Sequence, residues 1–436
     1  MPSENITLQG HILDGHLLPK VLDEVLAVGA TFEILDLNVG VKHEDTSFAR
    51  IQITANSESE LSELLDRLQA HGANAEKVED ALVTEADTDG AFPPGFYSST
   101  NLETEVRIDD QWIRVKNTEM DCGIVFDGEN ARTIAMSDVK KSDGIVMAGR
   151  GIRVIPLERP RGENRASFEF MSSDVSSEKP KALLVEQVAE KLRAVRDSGK
   201  RILWVAGPAC VHTGSGPDLC ALIRAGYVQG FFAGNGVAAH DIESNMFGTS
   251  LGVYLEQGIA AEHGHEHHIR AINEVRRHGS FEAAIEAGVF SGGIVHHLVK
   301  YKSDYLFGGS VRDDGPLPDV EPNMLEVQRK LRDIIWGRSP NGDGEVIGFC
   351  IVVGTMLHGI ATGNCLPASV PLVCVDINQA TVTKLMDRGS WQSMGIITDV
   401  GLFIRELAQS LAPDEVKAVS DEADVRRAGA KTGTVR

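Results

Sequence analysis

The chain has 436 residues, enough for two or three domains and a sizeable core. Hydrophobic residues make up 42% and charged residues 24%, the balance of a globular protein rather than of a fibre or a disordered chain. Lys+Arg 42 against Asp+Glu 63 leaves a formal charge of −21, which argues against nucleic acid and anionic membranes as partners, because phosphate binding needs a basic face.

The opening "MPSENITLQG" has neither a basic region nor an apolar run, so no secretory signal is expected, and no stretch reaches the length of a membrane span. "NITLQG" reads as a strand, "HLLPKVLDEVLAVGA" as an amphipathic helix with Leu17, Val21, Leu22, Val25 and Leu26 on one face, and "TFEILDLNVG" as a strand. "SFARIQITA" is strand-like through Phe48, Ile51 and Ile53. "SESELSELLDRLQAHGA" is a helix in which Ser57 and Glu60 fit a capping box. With a last strand near 74 to 84, residues 1–90 follow a ferredoxin-like α+β plan.

The linker "TEADTDGAFPPG" leads into runs broken at Asp109-Asp110 and at Asp127-Gly128, so residues 91–178 predict hairpins forming a small β-barrel or sandwich. From 179 to 415 strands and helices alternate: "RILWVAG", "YVQGFFAGN", "DYLFGG", "EVIGFCIVVG", "PLVCVDI" and "GIITDVG" are short apolar strands, most followed by helical segments. That pattern predicts an α/β class, a Rossmann-like doubly wound parallel sheet with ligands at the carboxyl ends of its strands. Residues 416–436 have little to bury and read as a loose tail. The six cysteines, at 122, 210, 220, 350, 365 and 374, form no C-x-x-C pair, which suits a reducing cytoplasm.

In such a sheet the residues just past each strand carry the chemistry. "VPLVCVDINQATVTKL" ends an apolar run on Asp376: either Asp376 or Asn378 caps the next helix, or Asp376 grips the ribose of a dinucleotide. The strand before it, "EVIGFCIVVGTM", turns at Gly354 without a G-x-G-x-x-G fingerprint. Asn235 and Gly236 follow another strand and precede His240, Asp241 and Glu243, either as an anion-binding helix start or as plain turn and helix-start residues. "SVRDDGPLPDV" holds Arg312, Asp313 and Asp314, a usable site for an amine or a ribose, or equally a type I turn. Asp399 follows the last strand. In "AEHGHEHHIRAINEVRRHG" His263 and His267 are one turn apart, but without H-E-x-x-H the run reads as a solvated helix start or substrate loop rather than a metal site. "VAGPACVHTGSGPD" could hold phosphate but lacks the Lys-Ser/Thr pair of a P-loop.

Together, "GHLLPKVLDEVLAVGATFEILDLNVG", "GFYSSTNLETEVRI", "VKNTEMDCGIVFDG", "GNGVAAHDIE", "GGSVRDDGPLPDV" and "DINQATVTKL" resemble one family across residues 5 to 411. It is the lysine-oxoglutarate reductase/saccharopine dehydrogenase conserved region of alternative, archaeal-type ornithine cyclodeaminases. The resemblance implies NAD on an α/β domain similar to the cofactor fold of deoxyhypusine synthase, held by Asn235, Gly236, Asp314, the turn Gly354, Thr355, Met356 and Leu357, then Asp376, Asp399 and Val400. It also implies conversion of L-ornithine to L-proline and ammonia, with hydride lent to NAD and returned. The arginine-degrading domain that precedes this module in larger relatives is expected to be missing.

Such chemistry needs a base, an acid and a cation for the carboxylate. Beyond what the resemblance carries, Asp313 is the candidate acid or base, Lys300 or Arg312 the carboxylate partner and His240 a proton carrier; Cys122 is expected to be buried packing. A homo-oligomer is expected. A saccharopine-type oxidoreductase and a non-catalytic NAD or amino-acid sensor remain as alternatives.

Overall fold

In a computed structural model the chain is described at residues 1–10, 12–13, 17–41, 45–69, 71–76, 79–155, 181–255, 257–311, 316–388 and 393–432. It divides into two compact units, Met1–Ser172 with Asn364–Ser369, and Ser173–Gly363 with Val370–Arg436.

The first unit opens with β1 (Ser3–Gly10), helix Leu17–Ala27, β2 (Thr31–Asn38), β3 (Ser47–Thr54), helix Glu58–Gln69 and the two-residue β4 (Asn74–Ala75). These strands pair antiparallel in the order β2-β3-β1-β4, the ferredoxin-like plan. Period-two alternation sets the inner face of β3: Ser47, Ala49, Ile51 and Ile53 are buried, while Phe48 points the other way. The first helix buries Leu17, Leu18, Val21 and Val25, whereas Leu26 is exposed. Ser57 caps the second by accepting the Glu60 N–H at 3.2 Å, and the Glu60 carboxylate reaches one residue further back, to the Asn56 N–H at 3.2 Å. At the sheet edge β2 exposes Ile34, Leu35 and Leu37.

Next come β5 (Val83–Glu85), β6 (Glu103–Ile108), β7 (Gln111–Lys116), β8 (Gly123–Phe126), β9 (Ala131–Ile134), β10 (Gly144–Val146) and β11 (Ile152–Ile155). They form a curled mixed sheet in the order β11-β6-β7-β9-β8-β10-β5, parallel only between β7 and β9. Asp109 and Asp110 join β6 to β7 with φ of 49° and 62°, the left-handed pair that a two-residue hairpin turn demands. Alternate side chains divide between two cores: Ile124 and Val146 lie in one, Val125 and Ile145 in the other.

The second unit contains β12 (Ile202–Ala206), β13 (Gly230–Gly234), the hairpin β14 (Thr249–Ser250) and β15 (Val253–Tyr254), then β16 (Asp304–Gly308), β17 (Val320–Glu321), β18 (Phe349–Val353), β19 (Leu372–Asp376) and β20 (Ser393–Ile397). Seven of these make one parallel sheet in the order β17-β16-β13-β12-β18-β19-β20. From the central β12 the chain builds outward through β13 and β16, then returns to β18 and builds the other way, the doubly wound Rossmann order. β12 (ILWVA) and β18 (FCIVV) are buried at every position, as strands covered on both faces must be.

The carboxyl terminus departs from the loose tail expected of it. Residues Pro413–Thr432 are helical. The Arg224 guanidinium holds that helix through Glu415 at 2.8 Å and Glu422 at 2.7 Å, and Val419 is buried. Among the described residues no helix is long and apolar enough to cross a membrane.

Candidate active site at the carboxyl edge of the parallel sheet

A doubly wound sheet opens a crevice where neighbouring strands lead their connections in opposite directions, here between β12 and β18. The turns beyond these strands touch. Gly207 N–H donates to Val353 O at 2.8 Å, and a Cβ on Gly207 would stand 1.9 Å from Gly354 O. Gly354 itself is left-handed, with φ of 60°, and a Cβ there would meet Ala209 Cβ at 3.0 Å and Val400 Cγ2 at 3.4 Å. Backbone therefore lines the crevice where side chains would fill it. The close approach that a G-x-G-x-x-G loop achieves within one turn is shared between two. Thr355 and Met356 are half-buried beside it, and Leu357 is exposed.

At the end of β19, Asn378 rather than Asp376 caps the helix that follows. Asn378 Oδ1 accepts the Ala380 N–H at 2.9 Å and so caps helix Gln379–Arg388. Asp376 Oδ1 accepts the Asn378 N–H at 2.7 Å, and its other oxygen takes no hydrogen bond among the described residues. Ile377, between them, is exposed. After β20, Asp399 caps helix Val400–Leu411 through the Leu402 N–H at 2.9 Å, and Val400 is buried. Thr398 just before it carries a buried Oγ1 with no partner among the described residues.

Helix Asn235–Phe247 starts directly at the end of β13. Buried Asn235 accepts the Leu317 N–H at 3.1 Å and ties down the chain that follows β16. A Cβ on Gly236 would sit 3.7 Å from Pro208 Cγ, in ordinary contact. His240 Nδ1 lies 2.8 Å from the Glu243 carboxylate, which is fully buried and also takes the Thr249 hydroxyl at 2.9 Å and the N–H groups of Gly252 at 3.0 Å and Leu251 at 3.2 Å. Burial alone would raise the Glu243 pKa, but the bonds from His240, Gly252 and Thr249 outweigh it and hold the group below its usual range. His212 sits on the same side, its ring centroid 4.9 Å from that of His240 and its Nδ1 2.7 Å from Ser250 Oγ. Burial depresses the His212 pKa, with His240 adding to the effect.

Asp241 faces the other way. It accepts the Ile294 and Val295 N–H groups at 2.9 and 2.8 Å, so it caps helix Gly293–Lys300 rather than its own, and burial pushes its pKa to about 7. The run from His263 splits likewise. His263 and His265 are exposed, His267 Nδ1 meets Thr249 Oγ1 at 2.8 Å, and the His268 ring lies 6.1 Å from that of His240. The hydroxyls of the "HTGSG" turn are engaged internally, Thr213 with Ala209 O and Ser215 with Cys210 O, both at 2.8 Å.

Lys300 ends helix Gly293–Lys300 just before Asp304 begins β16, so it stands at the amino edge of the sheet, opposite the crevice, with its ammonium 5.7 Å from the Tyr301 ring. Buried Asp304 at that edge pairs with Arg201. Arg312, Asp313 and Asp314 lie outside the described residues.

Sequence singles out Glu243 beside His240 without pairing the two, and it does not single out His212 or Thr249. Only the i, i+3 spacing in "HDIE" pointed to a His-Glu pair. In the first unit, the motifs "SSTNLE" and "NTEMDC" meet in a buried polar knot. Ser99 Oγ donates to Glu119 O at 2.7 Å and accepts the Cys122 N–H at 3.2 Å, Met120 N–H donates to Asn364 O at 2.9 Å, and Asn101 Nδ2 is buried without a partner among the described residues. Cys122 is buried, as expected for packing.

Residues 186–407 match the family profile described as arginine dihydrolase ArgZ-like, C-terminal, Rossmann fold, residues 3–102 match the LOR/SDH bifunctional enzyme conserved region, and residues 103–185 match the ArgZ-like C-terminal first region. The chain is 44% identical to the ornithine cyclodeaminase of Methanothermobacter thermautotrophicus over 406 residues, 93% of this chain and 96% of that one. Among solved structures, apo ArgZ, an arginine dihydrolase from the ornithine-ammonia cycle in cyanobacteria, superposes with a TM-score of 0.79 at 36% identity, over 94% of this chain and 58% of that one. The ternary complex of AgrE with ornithine and NAD+ superposes with a TM-score of 0.50 at 39% identity, again over 94% of this chain and 58% of the other. With three profiles matched from residue 3 to 407 and a relative of this identity matched over nearly its whole length, the chain belongs to the archaeal-type ornithine cyclodeaminase family built on the LOR/SDH conserved region.

Proposed function

We propose that this chain is an NAD-dependent ornithine cyclodeaminase that converts L-ornithine to L-proline and ammonia. The observation that carries the reading is the crevice between β12 and β18. Its walls are the touching backbones of Gly207 and Gly354, and Asp376 stands at the end of the adjacent strand with one carboxylate oxygen unengaged. A dinucleotide needs both features, close backbone for its pyrophosphate and an acid for its ribose. The residues present thus fit NAD. When bound, NAD supplies a hydride acceptor at the substrate α-carbon and gives the hydride back, so that the net redox change is zero.

In this reading Asp376 takes ribose hydroxyls and repels the extra phosphate of NADP. Gly354, Thr355, Met356 and Leu357 form the turn against the cofactor, and Asn235 and Gly236 border it from β13. Asp399 and Val400 close the far side, Asp399 through the carboxylate oxygen that does not cap the helix. By residue type and place in the sequence, Asp314 is assigned to the cofactor, Asp313 to an amine of the substrate and Arg312 to its carboxylate. A cytoplasmic setting is supported by six cysteines that are all buried and unbridged. A homo-oligomer is supported by the exposed apolar side chains on the edge strand β2; light scattering should return a mass that is a multiple of 47.1 kDa.

Purified protein incubated with L-ornithine, with and without added NAD, tests the activity. Proline and ammonia should appear in equal amounts without accumulation of NADH. Stoichiometric NADH would instead identify an ordinary dehydrogenase, and NAD binding without turnover of any basic amino acid would point to a sensor.

A further inference from the structure

Resting on the cyclodeaminase reading, we propose that His240 moves the substrate proton in this reaction and that Glu243 is the positioning residue that holds it ready. The ornithine cation contains the same atoms and charge as zwitterionic proline plus ammonium, so the overall reaction takes up no proton and releases none. Within the cycle, however, each of the two substrate ammonium groups must lose a proton before its lone pair can act, and the departing ammonia and the ring nitrogen regain the two. One imidazole carries one of these protons out and back, the exchange tied to the departure of ammonia. An N–H bond of the substrate ammonium breaks as one forms at His240 Nε2; when the carbon–nitrogen bond to the leaving group breaks, Nε2 returns the proton and ammonium departs.

The geometry suits this task at each atom. Glu243 is fully buried and ionised, and accepts from His240 Nδ1 at 2.8 Å, so the proton of neutral His240 resides on Nδ1 and Nε2 is left as the base. The carboxylate cannot swing away, because Thr249 Oγ1 and two backbone N–H groups hold both of its oxygens. Thr249 in turn meets His267 Nδ1, and the titratable rings that face His240 are those of His212 and His268. The His240 side chain retains 14% exposure, enough to meet a small amine while bulk water is largely excluded. Its helix begins at the end of β13, so His240 stands about one and a half turns from the carboxyl edge.

The alternative is that Glu243 only anchors the β14–β15 hairpin, and a kcat-against-KM split separates the two roles. Ornithine turnover and NAD binding, followed by fluorescence titration, would be compared for the wild type, His240→Ala, Glu243→Gln and, as a control, His265→Asn on the exposed side. Wild type that forms no proline overturns the cyclodeaminase reading itself. With an active wild type, His240→Ala should lower kcat by about 100-fold or more while NAD affinity stays within about twofold, and added imidazole should restore part of the rate. Glu243→Gln should lose less, about tenfold in kcat with KM and NAD affinity nearly unchanged, because the imidazole loses the carboxylate that orients it. His240→Ala that keeps more than about a tenth of kcat, or that gains nothing from imidazole, overturns the proposal. So does Glu243→Gln that loses kcat only together with NAD affinity, as a disturbed hairpin would. If Glu243→Gln fails to fold, the imidazole rescue of His240→Ala decides alone.

Discussion

Asp376 and Asn378 stand two residues apart at the end of one strand, and their hydrogen bonds give them separate jobs. Asn378→Ala removes a helix cap and should cost about 1 kcal/mol of stability by thermal denaturation while leaving NAD affinity nearly intact. Asp376→Ala should do the reverse, weakening NAD by about tenfold, the loss of a charge-assisted hydrogen bond, with little change in melting. Residue types alone left these roles open, because Asp and Asn are both good caps and only the acceptor actually used distinguishes them. Buried His297 offers a second residue-scale test. Burial depresses its pKa from 6.5 to about 4, so it folds as the neutral ring. Its contribution to stability is therefore complete above about pH 6.5 and is lost as pH falls through about 4, worth up to about 3 kcal/mol. His297→Phe should lose less stability than the wild type between pH 7 and pH 4, as read from denaturant midpoints.

At the scale of elements, the two glycine turns make the crevice. Gly207→Ala would push a Cβ into the Gly354 carbonyl, backbone against backbone, and should cost about 3 kcal/mol or more together with cofactor binding. Gly363→Ala, in helix Leu357–Cys365 with open space at that position, should instead raise stability by up to about 1 kcal/mol. Chemical denaturation of the two variants checks both signs. The strands here were legible because β12 and β18 are apolar without interruption, and the hairpin at Asp109-Asp110 because its turn chemistry is local. Helix Pro413–Thr432 was not legible. Its sequence offers few apolar residues, and the partner that fastens it, Arg224, lies nearly two hundred residues earlier. Residue type alone says nothing of place: Lys300 suits a carboxylate by type, and its position at the end of a helix that leads into a strand sets it at the amino edge of the sheet.

For the whole molecule, the change of period near residue 180 revealed a doubly wound unit, since alternating helices and buried strands leave few other architectures. The order of strands could not be read directly, and neither could the membership of Asn364–Ser369 in the first unit, because contacts across hundreds of residues leave no local pattern. Net charge acts at this scale too. A formal charge of −21 means self-repulsion in the folded state, so raising ionic strength from about 10 mM to about 0.15 M should raise the melting temperature by a few degrees.

The buried cysteines make the protein its own clock for opening. Cys122 and Cys365 belong to the first unit and Cys210, Cys220, Cys350 and Cys374 to the second, and burial pushes the thiols of Cys210, Cys350 and Cys374 up, away from the reactive thiolate. A pulse of thiol reagent should therefore leave the native protein almost unlabelled. Under mild denaturant the thiols should react in two groups that follow the two units, and peptide mapping of the label would tell which unit opens first.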